Sequence, residues 1–176
     1  ERLRAEFNLR ADRPVVRFVG RLVAEKGILE LLQAAQQVLT VHPNVQFLVV
    51  GPIDSEKADA LTPAIAQAYQ VAHAFTFTGL RQEMPELYGL MDLFVLPSHR
   101  EGFPRSPMEA SAMQVPCVVT DIRGCREAVE HERNGLLTPL GDIGGLAQAI
   151  SSLLANPAWA AQLGCQGRQL ARERFD

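Results

Sequence analysis

Short, almost wholly apolar runs alternate with segments of helical period along nearly the whole chain. The runs at 15–19, 45–50, 74–78, 93–96, 116–120 and 135–138 read as strands, most of them closed by Gly or Pro. Between them lie helical segments. The first covers 27–41, with Ile28, Leu31, Leu32, Ala35, Val38 and Leu39 on one stripe. A second is expected over 55–69, with Ser55 as N-cap and Pro63 interrupting or splitting it. Others are expected over 83–91, with Pro85 in the first turn, over 106–113, with Pro107 near its start, and over 125–129. The last two cover 142–154 and 157–174. Strands separated by helices require parallel crossovers, which makes this an α/β fold with a doubly wound parallel sheet. Strands without polar alternation fit a sheet covered on both faces. Residues 1–176 suit one domain with a sizeable core.

In such a sheet ligands bind beyond the carboxyl ends of the strands. The unusual residues of this chain gather there. Gly20-Arg21 follows the first strand, Gly79-Leu80 the third, and residues 98–103 the fourth.

Composition excludes several classes. A net charge of −3 gives no support for nucleic-acid binding. No apolar run approaches the roughly 20 residues that span a bilayer, and residues 1–10 are too charged for a signal peptide. Cys117, Cys125 and Cys165 lack CxxC spacing and read as free thiols of a reducing compartment. The chain lacks an initiator Met and reads as a piece of a longer protein.

The stretch from Glu101 to Glu109, Glu-Gly-Phe-Pro-Arg-Ser-Pro-Met-Glu, sets two carboxylates around a Gly-Phe turn and a helix start. Carboxylates accept from hydroxyls, and helix-start amides suit phosphate. A ligand carrying both, a sugar nucleotide, is the first expectation. The plainer alternative is a helix-capping loop with Glu109 on a solvent face. The segment Gly20-Arg21-Leu22-Val23-Ala24-Glu25-Lys26-Gly27 adds two cations across a strand-to-helix step. Gly20 permits close backbone approach. Arg21 clamps phosphate oxygens bidentately, and Lys26 adds a point charge. A solvated turn with a surface salt bridge explains the same residues equally well when they are taken alone. The spacing is not that of a Walker P-loop. Thr78-Gly79-Leu80 offers backbone groups to a base edge, although a plain strand-ending turn is the stronger reading of those three residues. His99, Asp121 and Glu127 either line the same cleft or are ordinary loop residues. His42, His73 and His131 show no metal-ligand spacing, and Trp159 and Phe175 read as packing residues of the terminal helices.

Taken in order, the motifs resemble a known family. They are Gly20-Arg21-Leu22 with Glu25-Lys26-Gly27, Phe77-Thr78-Gly79, Leu87-Tyr88, residues 91–98, Glu101-Gly102-Phe103-Pro104 with Glu109-Ala110, Thr120-Asp121, residues 124–127, residues 134–137 and Gly141-Asp142. This resembles the C-terminal domain of group 1 glycosyltransferases, the family 4 retaining enzymes, over nearly the whole chain. The resemblance implies a Rossmann-like domain, the C-terminal half of a GT-B fold. It implies that the full enzyme moves a sugar from a nucleoside diphosphate, a UDP-sugar by family frequency, to an acceptor hydroxyl. The products it implies are polysaccharide, lipopolysaccharide or glycolipid. The acceptor, a glycan or lipid-linked glycan, would be held by an N-terminal domain outside this chain. The enzyme would be cytoplasmic, at the inner membrane face where its acceptor is lipid-linked. No cofactor or metal is implied, because Arg21 and Lys26 supply the positive charge. In the implied roles Arg21, Lys26 and Glu101 are catalytic. Glu101 takes sugar hydroxyls and Glu109 the ribose. Gly20 and backbone at Leu80, Gly102, Phe103, Arg105 and Ser106 meet the base, sugar and phosphate.

The chain departs from the family pattern in three places. Pro104 stands where the family often has Gly, which removes one amide donor. Gln114-Val115 replaces a Gly-x before the next strand, at a helix C-cap. His131-Glu132-Arg133 replaces a glycine-containing turn. Two rival readings are a sugar-nucleotide epimerase of similar two-domain fold and a non-catalytic nucleotide-sugar-binding module.

Overall fold

In the computed structural model, which describes residues 1–175, six parallel strands form one sheet in the order β3-β2-β1-β4-β5-β6. They are β1 (Val15–Val19), β2 (Gln46–Val50), β3 (Phe75–Phe77), β4 (Leu93–Leu96), β5 (Cys117–Thr120) and β6 (Gly135–Thr138). The helices are α1 (Arg2–Glu6), α2 (Ile28–Val41), α3 (Ile65–Ala68), α4 (Met84–Tyr88), α5 (Arg105–Ala112), α6 (Arg123–Arg126), α7 (Ile143–Ala155) and α8 (Pro157–Phe175). Every residue of β4 and β5 is buried, as expected for strands covered on both faces. Helix α2 packs against α7, and α5 packs against α8. Leu3 and Phe7, with Leu87 of α4, cover Val15, Leu48 and Val50.

Chain order reverses between β1 and β4. The sheet grows from β1 through β2 to β3 in one direction, and from β4 through β5 to β6 in the other. Connections leaving β1 and β4 therefore diverge and open a crevice at their carboxyl ends. Asp92 fixes the other end of this pair. Its carboxylate accepts from the Val15 N–H at 2.8 Å, and its own N–H donates to the Val15 carbonyl at 2.9 Å.

The expected helix over 55–69 is corrected to the single turn of α3. The backbone of the preceding segment bonds elsewhere. The Leu61 N–H donates to the Leu22 carbonyl at 2.8 Å, and the Ala24 N–H to the Asp59 carbonyl at 3.0 Å. The Glu25 N–H donates to the Asp59 carboxylate at 3.0 Å. Pro63 also disfavours helix in the residue before it. Residues 52–61 thus strap the loop that follows β1. Helix α1 was not anticipated; its charged surface hides the apolar residues Leu3, Phe7 and Leu9, all buried. The short helix expected at 125–129 forms earlier, as α6.

Two of the three departures from the family pattern carry a structural signature. Gln114, just past α5, has φ 62°, and Glu132 has φ 63°. Both are left-handed positions where glycine is free of the Cβ penalty. Replacing Gln114 by Gly should therefore stabilise the fold by about 1 kcal/mol. Calorimetry should show Tm rising by roughly 2–4 °C; an unchanged or lower Tm would contradict the strain argument.

Asn134 is buried and fully engaged. Its side-chain oxygen accepts from the Glu130 N–H at 2.7 Å, and its amide donates to Ser111 Oγ at 3.2 Å and to the Ala128 carbonyl at 2.9 Å. A buried amide is retained only when its hydrogen bonds are met. Here they join β6 to α5 and to the turn after α6.

Candidate active site at the strand ends

The loop after β1 is a short helical turn, Ala24–Lys26, ended by Gly27 at φ 83°. A Cβ on Gly27 would lie 2.0 Å from the Pro97 carbonyl oxygen. That close approach sets the β1 loop directly on the end of β4. Lys26 Nζ then donates to Glu101 Oε1 at 2.7 Å, and the Ser98 hydroxyl donates to the same oxygen at 2.8 Å. The side chains of Lys26 and Glu101 are 19% and 10% exposed, so solvent screens this pair little. Among the described residues, Glu101 Oε2 has no hydrogen-bond partner. Three further contacts join the same loops. The His99 N–H donates to the Glu25 carbonyl at 2.8 Å, Arg100 pairs with Glu25 at 3.1 Å, and His99 pairs with Glu30 at 2.5 Å.

Glu101 is held from the other side by α6. A Cβ on Gly124 would lie 2.0 Å from the Glu101 carbonyl oxygen. Glu101, Gly102, Phe103, Arg123, Gly124 and Glu127 line one open concavity of about 460 Å³. Beneath it, burial and the Glu101 charge push the Cys125 thiol up to about 12, so it stays protonated and inert. All three cysteines are free.

Arg21 points to a separate partner. Its Nη1 donates to Asp54 Oδ2 at 3.1 Å. Gly20 sits at the end of β1, its N–H bonded to the Val50 carbonyl at 2.9 Å. The loop after β3 begins with Thr78, then Gly79 at φ 72° and a Leu80 that is 71% exposed. Phe103 is 58% exposed and meets Phe175 edge to face, with ring centroids 6.3 Å apart. Phe175 therefore touches the site loop as well as ending α8.

Helix α5 begins at Arg105 with Pro104 as N-cap, and no side chain caps it. Pro104 and Pro107 have no N–H, so the helix start presents only the amides of Arg105 and Ser106. Glu109, one turn further on, is exposed, and its Oε2 accepts from the Tyr88 hydroxyl at 2.9 Å. Among the described residues no three His, Cys, Asp or Glu side chains gather as a metal site. No helix among them is long and apolar enough to cross a membrane.

The structure thus brings Lys26 and Glu101 together, while Arg21 and Glu109 lie in contacts of their own. Asp121 pairs with Arg126 at 2.6 Å. Sequence reasoning gave no role to Ser98, Asp54, Tyr88 or Gly124. Asp54 had a usable signal, because it follows β2 as the other candidates follow their strands.

The family model for glycosyl transferases group 1 matches residues 1–170. The chain belongs to the group 1 glycosyltransferases. This group 1 chain is 30% identical to the capsular polysaccharide biosynthesis glycosyltransferase CapM of Staphylococcus aureus, over 93% of its own length and 43% of that protein. It is 29% identical to HepE from Anabaena in complex with UDP, with a TM-score of 0.90 over 99% of this chain and 48% of the other. For sucrose-phosphate synthase from Thermosynechococcus elongatus the values are 35% identity and a TM-score of 0.89, over 98% and 44% of the two chains. The chain spans less than half the length of each. Its six-stranded parallel sheet is the Rossmann-like arrangement of the C-terminal half of a GT-B glycosyltransferase.

Proposed function

We propose that this chain is the donor-binding domain of a retaining glycosyltransferase using a nucleoside-diphosphate sugar, with UDP as the nucleotide. The observation that carries the proposal is the Lys26–Glu101 pair, seated where chain order reverses between β1 and β4. One cation and one carboxylate with a free oxygen meet there, opposite the amides of α5. A sugar diphosphate matches that set: Glu101 Oε2 takes a sugar hydroxyl, and Lys26, Arg21 and the Arg105 and Ser106 amides take the phosphates.

In the reaction the glycosidic oxygen leaves on the diphosphate, whose negative charge grows as the bond breaks. Groups aimed at developing charge contribute most to rate, about 10²–10³ each where measured. Arg21 and Lys26 are those groups here. Arg21 first exchanges Asp54 for phosphate, while Lys26 has two further N–H groups to offer beside Glu101. Glu109 takes the ribose hydroxyls, and the Leu80 backbone meets the base. The UDP bound by HepE supports the choice of nucleotide.

Among the described residues, the exposed large hydrophobics Ile53, Leu80, Phe103 and Leu140 follow strands, on this same face. An apolar rim of this kind suits closure against a second domain holding the acceptor, a glycan or lipid-linked glycan. The acceptor's linkage to lipid would place the whole enzyme at the inner face of the membrane. This domain alone is then expected to bind donor without turnover.

Titration calorimetry of the chain with UDP, GDP and ADP tests the reading. Binding of at least one is expected, with Arg21→Ala weakening it about tenfold, the value of a charge-assisted hydrogen bond. Absence of binding to all three at millimolar concentration would overturn the proposal.

A further inference from the structure

Arg17 is a charged residue in the middle of β1 whose side chain is completely buried. Its guanidinium lies over the Tyr88 ring, 4.6 Å from the centroid. Nη2 donates to Met84 Sδ at 3.6 Å, while Nε and Nη1 have no partner. Burial pushes this guanidinium down to about 10, against the opposing pull of Tyr88 and the Glu109 charge. It therefore remains protonated at neutral pH. A buried charge without a carboxylate partner is costly, and an apolar side chain of similar volume generally makes a more stable core. The fold itself gives no reason for Arg at this position.

The function of its neighbours does. Tyr88 lies between Arg17 and the site. Its ring rests on the guanidinium, and its hydroxyl is 2.9 Å from Glu109 Oε2 and 3.1 Å from the Ser106 carbonyl oxygen. Both neighbours only accept, and the phenol has one proton to give. Burial and the Glu109 charge push the Tyr88 hydroxyl well above the usual phenol range, so it acts as a donor. We propose that Arg17 is a positioning residue for Glu109. From beneath Tyr88 it holds the ring in place and supplies a positive field that makes the phenol a stronger donor to Glu109 and favours the ionised carboxylate. Glu109 Oε1 is then left facing outward for the ribose hydroxyls. Cation and carboxylate attract across a dry interior with little screening, and the guanidinium pairs with the ring face as cations do with aromatic quadrupoles. The inference rests on the reading above that Glu109 takes the ribose.

The test uses the nucleoside diphosphate that the chain binds tightest among UDP, GDP and ADP, together with its 2′,3′-dideoxy analogue. The ratio of their Kd values reports ribose recognition alone. Glu109→Gln should collapse the ratio by about tenfold or more. Arg17→Met should lower it about three- to tenfold, with Tm equal to or above that of the parent chain. Arg17→Lys, which keeps the charge, should restore most of the ratio. A residue with a merely structural role would lower Tm and leave the ratio intact. If Glu109→Gln lowers the ratio and Arg17→Met does not, the positioning role is overturned and the donor site stands. If Glu109→Gln leaves the ratio unchanged, the ribose assignment fails and the inference falls with it. Should Arg17→Met not fold, Arg17→Gln removes the same charge: a lowered ratio supports the proposal, and an intact ratio overturns it.

Discussion

Replacing Lys26 by Ala should weaken nucleoside-diphosphate binding by about 100-fold or more, corresponding to a loss of about 3 kcal/mol of charge-assisted hydrogen bonding to the diphosphate. The same change should lower Tm. Glu101 is 10% exposed in its side chain, and without Lys26 its carboxylate keeps only the Ser98 hydroxyl. A half-satisfied buried carboxylate costs about 1–3 kcal/mol, or roughly 5 °C in a domain of this size. The two effects are separable. Adding Glu101→Gln removes the stranded charge, so the double variant should recover Tm without recovering affinity. Calorimetric titration and thermal unfolding of both variants check this. Parent-like affinity in Lys26→Ala would remove Lys26 from the proposed site.

The second large effect is expected at Gly27. Its φ of 83° is left-handed, and a Cβ there would stand 2.0 Å from the Pro97 carbonyl oxygen and 2.4 Å from its carbon. Both contacts are backbone, so no side chain can swing aside. Gly27→Ala should cost about 4 kcal/mol, in the range reserved for steric and strain effects acting together, and lower Tm by roughly 10 °C. Gly79 is the control. It has φ 72°, but nothing lies within 4 Å of its added Cβ. Gly79→Ala should cost only the left-handed penalty of about 1 kcal/mol. Equal losses in thermal unfolding would show that the Pro97 contact contributes nothing.

Much of the architecture was legible because the sheet is buried on both faces. Runs such as Val-Val-Arg-Phe-Val and Leu-Phe-Val-Leu have few other structural uses, and β1, β4 and β6 fall where their apolar pattern places them. The 55–69 segment was misread for a physical reason. Its helical spacing was outweighed by hydrogen bonds to Leu22, Ala24 and Glu25, partners about 35 positions earlier that no local pattern reveals. The site divides in the same way. Arg21, Lys26 and Glu101 stand at strand ends, where topology alone makes them suspect. Asp54 is 33 positions from Arg21 and Tyr88 is 21 from Glu109, so these contacts arise only in the folded chain. Arg17 was visible as a charge within an apolar strand, but its meaning depended on the ring above it. The remaining departure, Pro104, shows how a residue that removes one amide can still serve as the helix boundary.

The seam between the loops after β1 and β4 also bears on how the site moves. Lys26 with Glu101, His99 with Glu25 and Glu30, Arg100 with Glu25, and Gly27 against Pro97 all cross the same line. Neither loop can lift without breaking most of these contacts at once. In amide hydrogen exchange the two loops, about seventy residues apart in sequence, are therefore expected to open as one cooperative unit. Donor entry to the proposed site would then be governed by the free energy of that single opening rather than by two independent flaps.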